Sequence, residues 1–99
     1  MRLSYDFLVH KNGDSVGVAV KDLKPGENAR GKCLTENAEY LVKILDEIPL
    51  GHKIALKDIK KNEIVIEYGE RIGIATRDIS KGEHVHVHNL RSAKWGDQT

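Results

Sequence analysis

At 99 residues, 39% apolar and 31% charged, the chain has the make-up of one folded domain rather than of a disordered, fibrous or membrane-embedded protein. Sixteen basic and fifteen acidic residues leave a formal charge of +1 and are interspersed, as in Lys57-Asp58-Ile59-Lys60, which argues against the uncancelled basic face that nucleic-acid binding needs. No apolar run approaches the ~20 residues of a bilayer span, and Met1-Arg2-Leu3-Ser4-Tyr5-Asp6 lacks a secretion-signal core, so the expectation is a cytoplasmic protein without a membrane partner.

Taken in chain order, residues 7–10 and 15–20 are short β-branched or apolar runs bounded by turn formers, and each predicts a strand. Cys33 is the only cysteine; with no Cys-x-x-Cys and no catalytic dyad beside it, it reads as a buried or inert thiol in a reducing compartment. Residues 36–48 are ambiguous, because helix formers such as Ala38, Leu41 and Leu45 are followed by Pro49, which pushes Ile48 away from the helical region. Strand is the preferred reading there, since residues 53–56, 64–68, 71–75 and 84–88 all predict further strands. The fold class is therefore all-β, with a domain over residues 1–90 and a polar, aperiodic tail over 91–99. Trp95 in that tail reads as local packing, with partner docking as the alternative.

Between the strands runs a repeat of turn chemistry. Asp22-Leu23-Lys24-Pro25-Gly26-Glu27, Glu47-Ile48-Pro49-Leu50-Gly51-His52, Asp58-Ile59-Lys60-Lys61-Asn62-Glu63 and Asp78-Ile79-Ser80-Lys81-Gly82-Glu83 share one order. An acidic residue is followed by an aliphatic one, two variable positions, Gly or Asn, and a polar residue. The aliphatic side chain suits the core, and Gly or Asn suits a positive-φ bend. Four such corners imply a folded-over β ribbon of short strands and carry no chemistry of their own.

Three of the five histidines fall in His84-Val85-His86-Val87-His88. On an extended strand His84, His86 and His88 share one face, with Val85 and Val87 toward the core. A rise of about 3.3 Å per residue puts neighbours of that stripe roughly 6.6 Å apart and its ends roughly 13 Å apart. Since an imidazole nitrogen sits about 2.1 Å from a zinc-like ion, one adjacent pair such as His84 and His86 can share a metal but all three cannot. A third ligand must come from another strand or chain, with His52 the best internal candidate and His10 a weaker one. The alternative is a solvated strand face. No nucleophile elbow, Cys–His pair, phosphate loop or paired carboxylates accompany the stripe, so complete catalysis within this chain is not expected.

Three blocks resemble a known family: Ile48-Pro49-Leu50-Gly51-His52-Lys53-Ile54-Ala55-Leu56, Tyr68-Gly69-Glu70-Arg71-Ile72-Gly73-Ile74-Ala75-Thr76 and Gly82-Glu83-His84-Val85-His86-Val87-His88-Asn89. Together, over residues 7–89, they resemble the SAF domain of the altronate and galactarate dehydratases. The resemblance implies a β-clip fold joined to a larger catalytic part that removes water from sugar acids with a divalent metal, commonly iron, held mainly by that larger part. In some relatives the parts are separate chains, as in the two-subunit sulfolactate sulfo-lyase, whose small alpha subunit is similar to this sequence. The expectation is a stand-alone small subunit, inactive by itself, whose partners are a large catalytic lyase subunit and a small acidic substrate.

The same resemblance implies that His52, Lys53, His84, His86, His88 and Asn89 line the shared site. Lys53 and a histidine would take a substrate carboxylate, Asn89 would hydrogen-bond hydroxyls, and His84 with His86 would hold metal. Glu67 departs from the family pattern, which often has Lys before Tyr-Gly. The segment from His10 to Ala19 departs from the His-Pro-x-Asp-Asn-Val start of fused altronate dehydratases and leans toward the sulfolactate type. Two other readings are a free-standing module binding an acidic sugar or a protein without a catalytic role, and a small metal-binding protein.

Overall fold

The computed structural model describes residues 4–92, among which there are nine strands and no helix, hence none long and apolar enough to cross a membrane. The strands are β1 (Phe7–Val9), β2 (Val16–Ala19), β3 (Asn28–Cys33), β4 (Glu39–Lys43), β5 (Lys53–Ala55), β6 (Ile64–Glu67), β7 (Glu70–Ala75), β8 (His84–Val85) and β9 (Leu90–Ser92). A six-stranded sheet runs in the order β4-β3-β1-β2-β5-β8, and a three-stranded sheet in the order β6-β7-β9. Among the described strands, β1 and β3 alone pair in parallel. The chain is all-β as expected, and the ambiguous stretch supplies β4.

Strand β3 was not foreseen, because Asn28-Ala29-Arg30-Gly31-Lys32-Cys33 looks polar. Its buried face consists of Ala29, Gly31 and Cys33, small residues that leave room for the Phe7 ring. A Cβ at position 31 would lie 2.0 Å from Phe7 Cε1. Cys33 is a free, buried thiol, as expected. Strand β9 carries the pairing through Ser92, two residues past the expected domain end at 90, by hydrogen bonding to β7. Trp95 lies outside the described residues.

The corners behave as their chemistry requires. Leu23 bridges Ile48 and Ile59 bridges Ile79, and all four are buried. Gly26, Gly51, Asn62 and Gly82 hold φ of 93°, 88°, 76° and 95°. The acidic residues link one corner to its partner: Asp22 accepts the Leu50 N–H, Asp58 that of Lys81 and Asp78 that of Lys61, each at 2.9 Å. Glu27, Glu63 and Glu83, at the last position of three corners, each accept a backbone N–H from three residues earlier.

Two apolar clusters result, one around Phe7, Leu23, Ile48 and Ile54 and the other around Val16, Ile59, Val65, Ile79 and Val85. The sheets are locked together by Asp14 and Ser15. Asp14 accepts N–H groups from Lys11, Tyr68 and Gly69 at 3.1, 2.9 and 3.0 Å, and Ser15 exchanges hydrogen bonds with Ile66. A nearly buried carboxylate with three backbone donors is a strong brace, and it sets the β6–β7 hairpin beside β2.

Candidate functional site

Strand β5 and the short β8 pair antiparallel, with Lys53 opposite Val85 and Ile54 opposite His84. His52 stands just before β5, at the last position of its corner, where the other three corners carry a capping glutamate. It is thereby free to face β8. His52 Nδ1 lies 2.9 Å from His84 Nε2, so one of these nitrogens donates to the other.

The expected five-residue strand of histidines ends after Val85. Asn89 is buried, its Oδ1 accepts the His86 N–H at 2.9 Å and its Nδ2 donates to the His84 carbonyl at 2.8 Å. The N–H groups of Asn89 and Leu90 both donate to the His86 carbonyl, which closes a turn. Two expectations are thereby corrected. Val87 does not face the core but is 81% exposed at the turn, and the amide of Asn89 is engaged in holding the turn rather than presented to a ligand. The turn also folds the stripe back on itself, bringing the His88 ring to 5.3 Å from that of His84 instead of the full strand distance.

One ring nitrogen from each of His52, His84 and His86 lies within 4.8 Å of the others. Nitrogens sharing an ion at about 2.1 Å can be no more than about 4.2 Å apart, so small side-chain rotations close the set. These are two neighbours of the stripe and one residue from another element, the combination that strand geometry allows. Three neutral imidazoles suit zinc, iron, nickel or copper and leave coordination positions open for an oxygen ligand. His10 is placed elsewhere, stacked on Tyr68 at 3.8 Å.

His84 is harder to protonate than an ordinary histidine, first because of burial and then because His52, His88 and His86 crowd it, with Asp46 partly opposing. The unfolded chain therefore takes up a proton at this position before the folded chain does. Stability from this group is complete above the ordinary value of 6.5 and is lost as pH falls through the lower folded-state value. Thermal unfolding of metal-free protein is expected to show a midpoint that drops on acidification through this window, with a shallower drop in His84→Asn; identical slopes for the two proteins count against this account.

Beside the histidines a groove of about 310 Å³ is lined by Lys53, Glu67, Ile72, Val85, His86, Val87, Leu90 and Ser92. Lys53 is half-buried, and its ammonium lies 3.9 Å from the buried carboxylate of Glu67, which His10 Nε2 approaches from the other side at 3.5 Å. Sequence reasoning missed Glu67 as a member of this site. Its signal was present: Glu67 shares the inward face of β6 with fully buried Val65, an unusual place for a lone carboxylate.

Residues 5–93 match the model of the altronate/galactarate dehydratase SAF domain. The chain is 38% identical to the (2R)-sulfolactate sulfo-lyase subunit alpha of Chromohalobacter salexigens, over 94% of this chain and 100% of that one. It is 39% identical to the subunit of the same name from Paracoccus pantotrophus, over 62% of this chain and 91% of that one. To altronate dehydratase of Bacillus subtilis it is 40% identical over 85% of this chain, but spans only 16% of that protein.

Proposed function

From the premise that the chain belongs to the altronate/galactarate dehydratase SAF-domain family, we propose that it is the small subunit of a two-part lyase acting on a sugar acid or related hydroxy acid. Its His52, Lys53, His84 and His86 face would complete a site shared with a large catalytic subunit. The observation that carries this reading is the convergence of three imidazoles, one of which, His86, lines a groove together with Lys53. Full-length similarity to a subunit alpha, against similarity to about a sixth of a dehydratase, supports a module that works on a larger partner.

The residues divide the work by their chemistry. Lys53, a cation on an apolar-walled groove, takes the carboxylate of the substrate. His52, His84 and His86 fit a divalent cation, iron being the family's common choice. When bound, it would supply charge stabilisation to an oxygen of the substrate. His88 flanks this set, and Asn89 holds the turn that aims His86. Elimination beside a carboxylate also needs a base that takes the proton from the carbon next to it, and the large subunit is the source assigned to that base.

Reconstitution is the test. The purified chain should turn over neither altronate nor (2R)-sulfolactate, and activity on one such acid should appear on addition of a dehydratase-like large chain from the same source. Turnover by the chain alone, or failure of the two chains to associate, counts against the proposal; the second outcome would favour a free-standing binding module.

A further inference from the structure

Glu67 is out of place for a residue with only a structural role. The residue is 8% exposed, and the nitrogens nearest its carboxylate, His10 Nε2 and Lys53 Nζ, stand at 3.5 and 3.9 Å. A charge-assisted hydrogen bond to a carboxylate measures about 2.7–2.9 Å, so neither contact closes into one. Burying most of a carboxylate is costly unless close donors replace the lost water, and two loose contacts replace it poorly. The missing donors have one open side from which to come, because Glu67 and Lys53 both line the groove.

The His10 tautomer strengthens this. Its Nδ1 is buried without a hydrogen-bond partner. An N–H there would be a buried unpaired donor and would aim the lone pair of Nε2 at a carboxylate. The cheaper arrangement puts the proton on Nε2, facing Glu67, and leaves Nδ1 bare. Stacking on Tyr68 holds the ring in that pose. One carboxylate oxygen thus faces His10 Nε2 and the other is turned toward Lys53 and the groove.

Resting on the shared-site reading above, we propose that Glu67 is a specificity residue that accepts a hydrogen bond from the hydroxyl next to the ligand's carboxylate, while Lys53 binds that carboxylate. An ammonium and a carboxylate oxygen 3.9 Å apart present a donor and an acceptor side by side. A 2-hydroxy acid offers the complementary acceptor and donor on adjacent carbons. An acid lacking that hydroxyl leaves Glu67 unpaired once the groove is filled, and such sites discriminate strongly against the deoxy analogue.

The test titrates the full-length isolated chain with D-gluconate and with 2-deoxy-D-gluconate, following backbone amide resonances. D-gluconate is expected to shift the amides around Lys53, Glu67 and Leu90 and to bind about tenfold or more tightly than its 2-deoxy analogue. Glu67→Met, which removes the acceptor, should bring the two affinities together, and Lys53→Met should weaken both alike while the remaining spectrum stays native. Equal affinity of the wild-type chain for the two acids, no saturable shift with D-gluconate, or a preference retained in a natively folded Glu67→Met overturns the assignment. No large subunit is present in these titrations, so they can fail independently of the lyase reading.

Discussion

Gly82→Ala is expected to destabilise the domain by about 3 kcal/mol or more. A Cβ at this position would lie 2.0 Å from the Lys43 carbonyl oxygen, and the residue holds φ of +95°, so packing and conformation both resist a side chain. The obstructing atom belongs to the backbone at the end of β4 and cannot rotate aside. Gly82 also donates its N–H to the Ala55 carbonyl and accepts the Leu45 N–H at 3.0 Å, which ties β5, β8 and the chain after β4 into one corner. Gly26 is the internal comparison: it has nearly the same φ, +93°, but open space where its Cβ would be. Gly26→Ala should therefore lose only the conformational share, about 1 kcal/mol. For a domain of this size each kcal/mol lowers the unfolding midpoint by roughly 4–8 °C, so urea and thermal melts separate the two variants clearly. Equal melting of the two would show that contact with Lys43 is relieved at no cost.

This contrast also explains which parts of the fold were legible in the sequence. The corners could be read because an inward aliphatic, a bend and a positive-φ residue recur four times, and each part has a local physical cause. Strand β3 could not, since its inward residues are small by virtue of a ring contributed from β1, a long-range fact without a local mark. The histidine strand failed for a related reason. Period-two reasoning assumes that the ladder continues, whereas the Asn89 amide bonds the backbone at His84 and His86 and turns the chain.

The functional face was partly visible. His52 breaks the corner pattern at the position where Glu27, Glu63 and Glu83 cap their own turns, so a residue released from a structural duty marks the site. Glu67 was visible only as a charge on the buried side of a strand. Its meaning came from Lys53 and His10, which lie far from it in the sequence and are brought to it by the Asp14 and Ser15 brace.

Removing His84 should have the largest effect on the site while sparing the fold. The backbone of His84 is held independently of its ring: its N–H donates to Asp46 at 3.0 Å, its carbonyl accepts from Asn89, and it pairs with Ile54. Its ring lies within reach of His52 and His86, as each of the three does of the other two, and borders His88 as well. Loss of a second-sphere partner typically lowers metal affinity 10–100-fold, so loss of a direct nitrogen ligand from a set of three should lower it by at least about 100-fold. His84→Ala and His52→Ala are both expected to reach that level in calorimetric titration with Zn²⁺. His88→Ala, outside the set of three, should remain within a few-fold of the native chain. In the cobalt-loaded protein, the visible absorption of a site with bound imidazoles should disappear in the first two variants and persist in the third. Thermal melts of the metal-free proteins separate ligand loss from misfolding, since only a variant that still unfolds cooperatively can be scored. Native-like zinc affinity in a folded His84→Ala protein would return the histidines to the role of a solvated strand edge and leave metal binding to the large subunit alone.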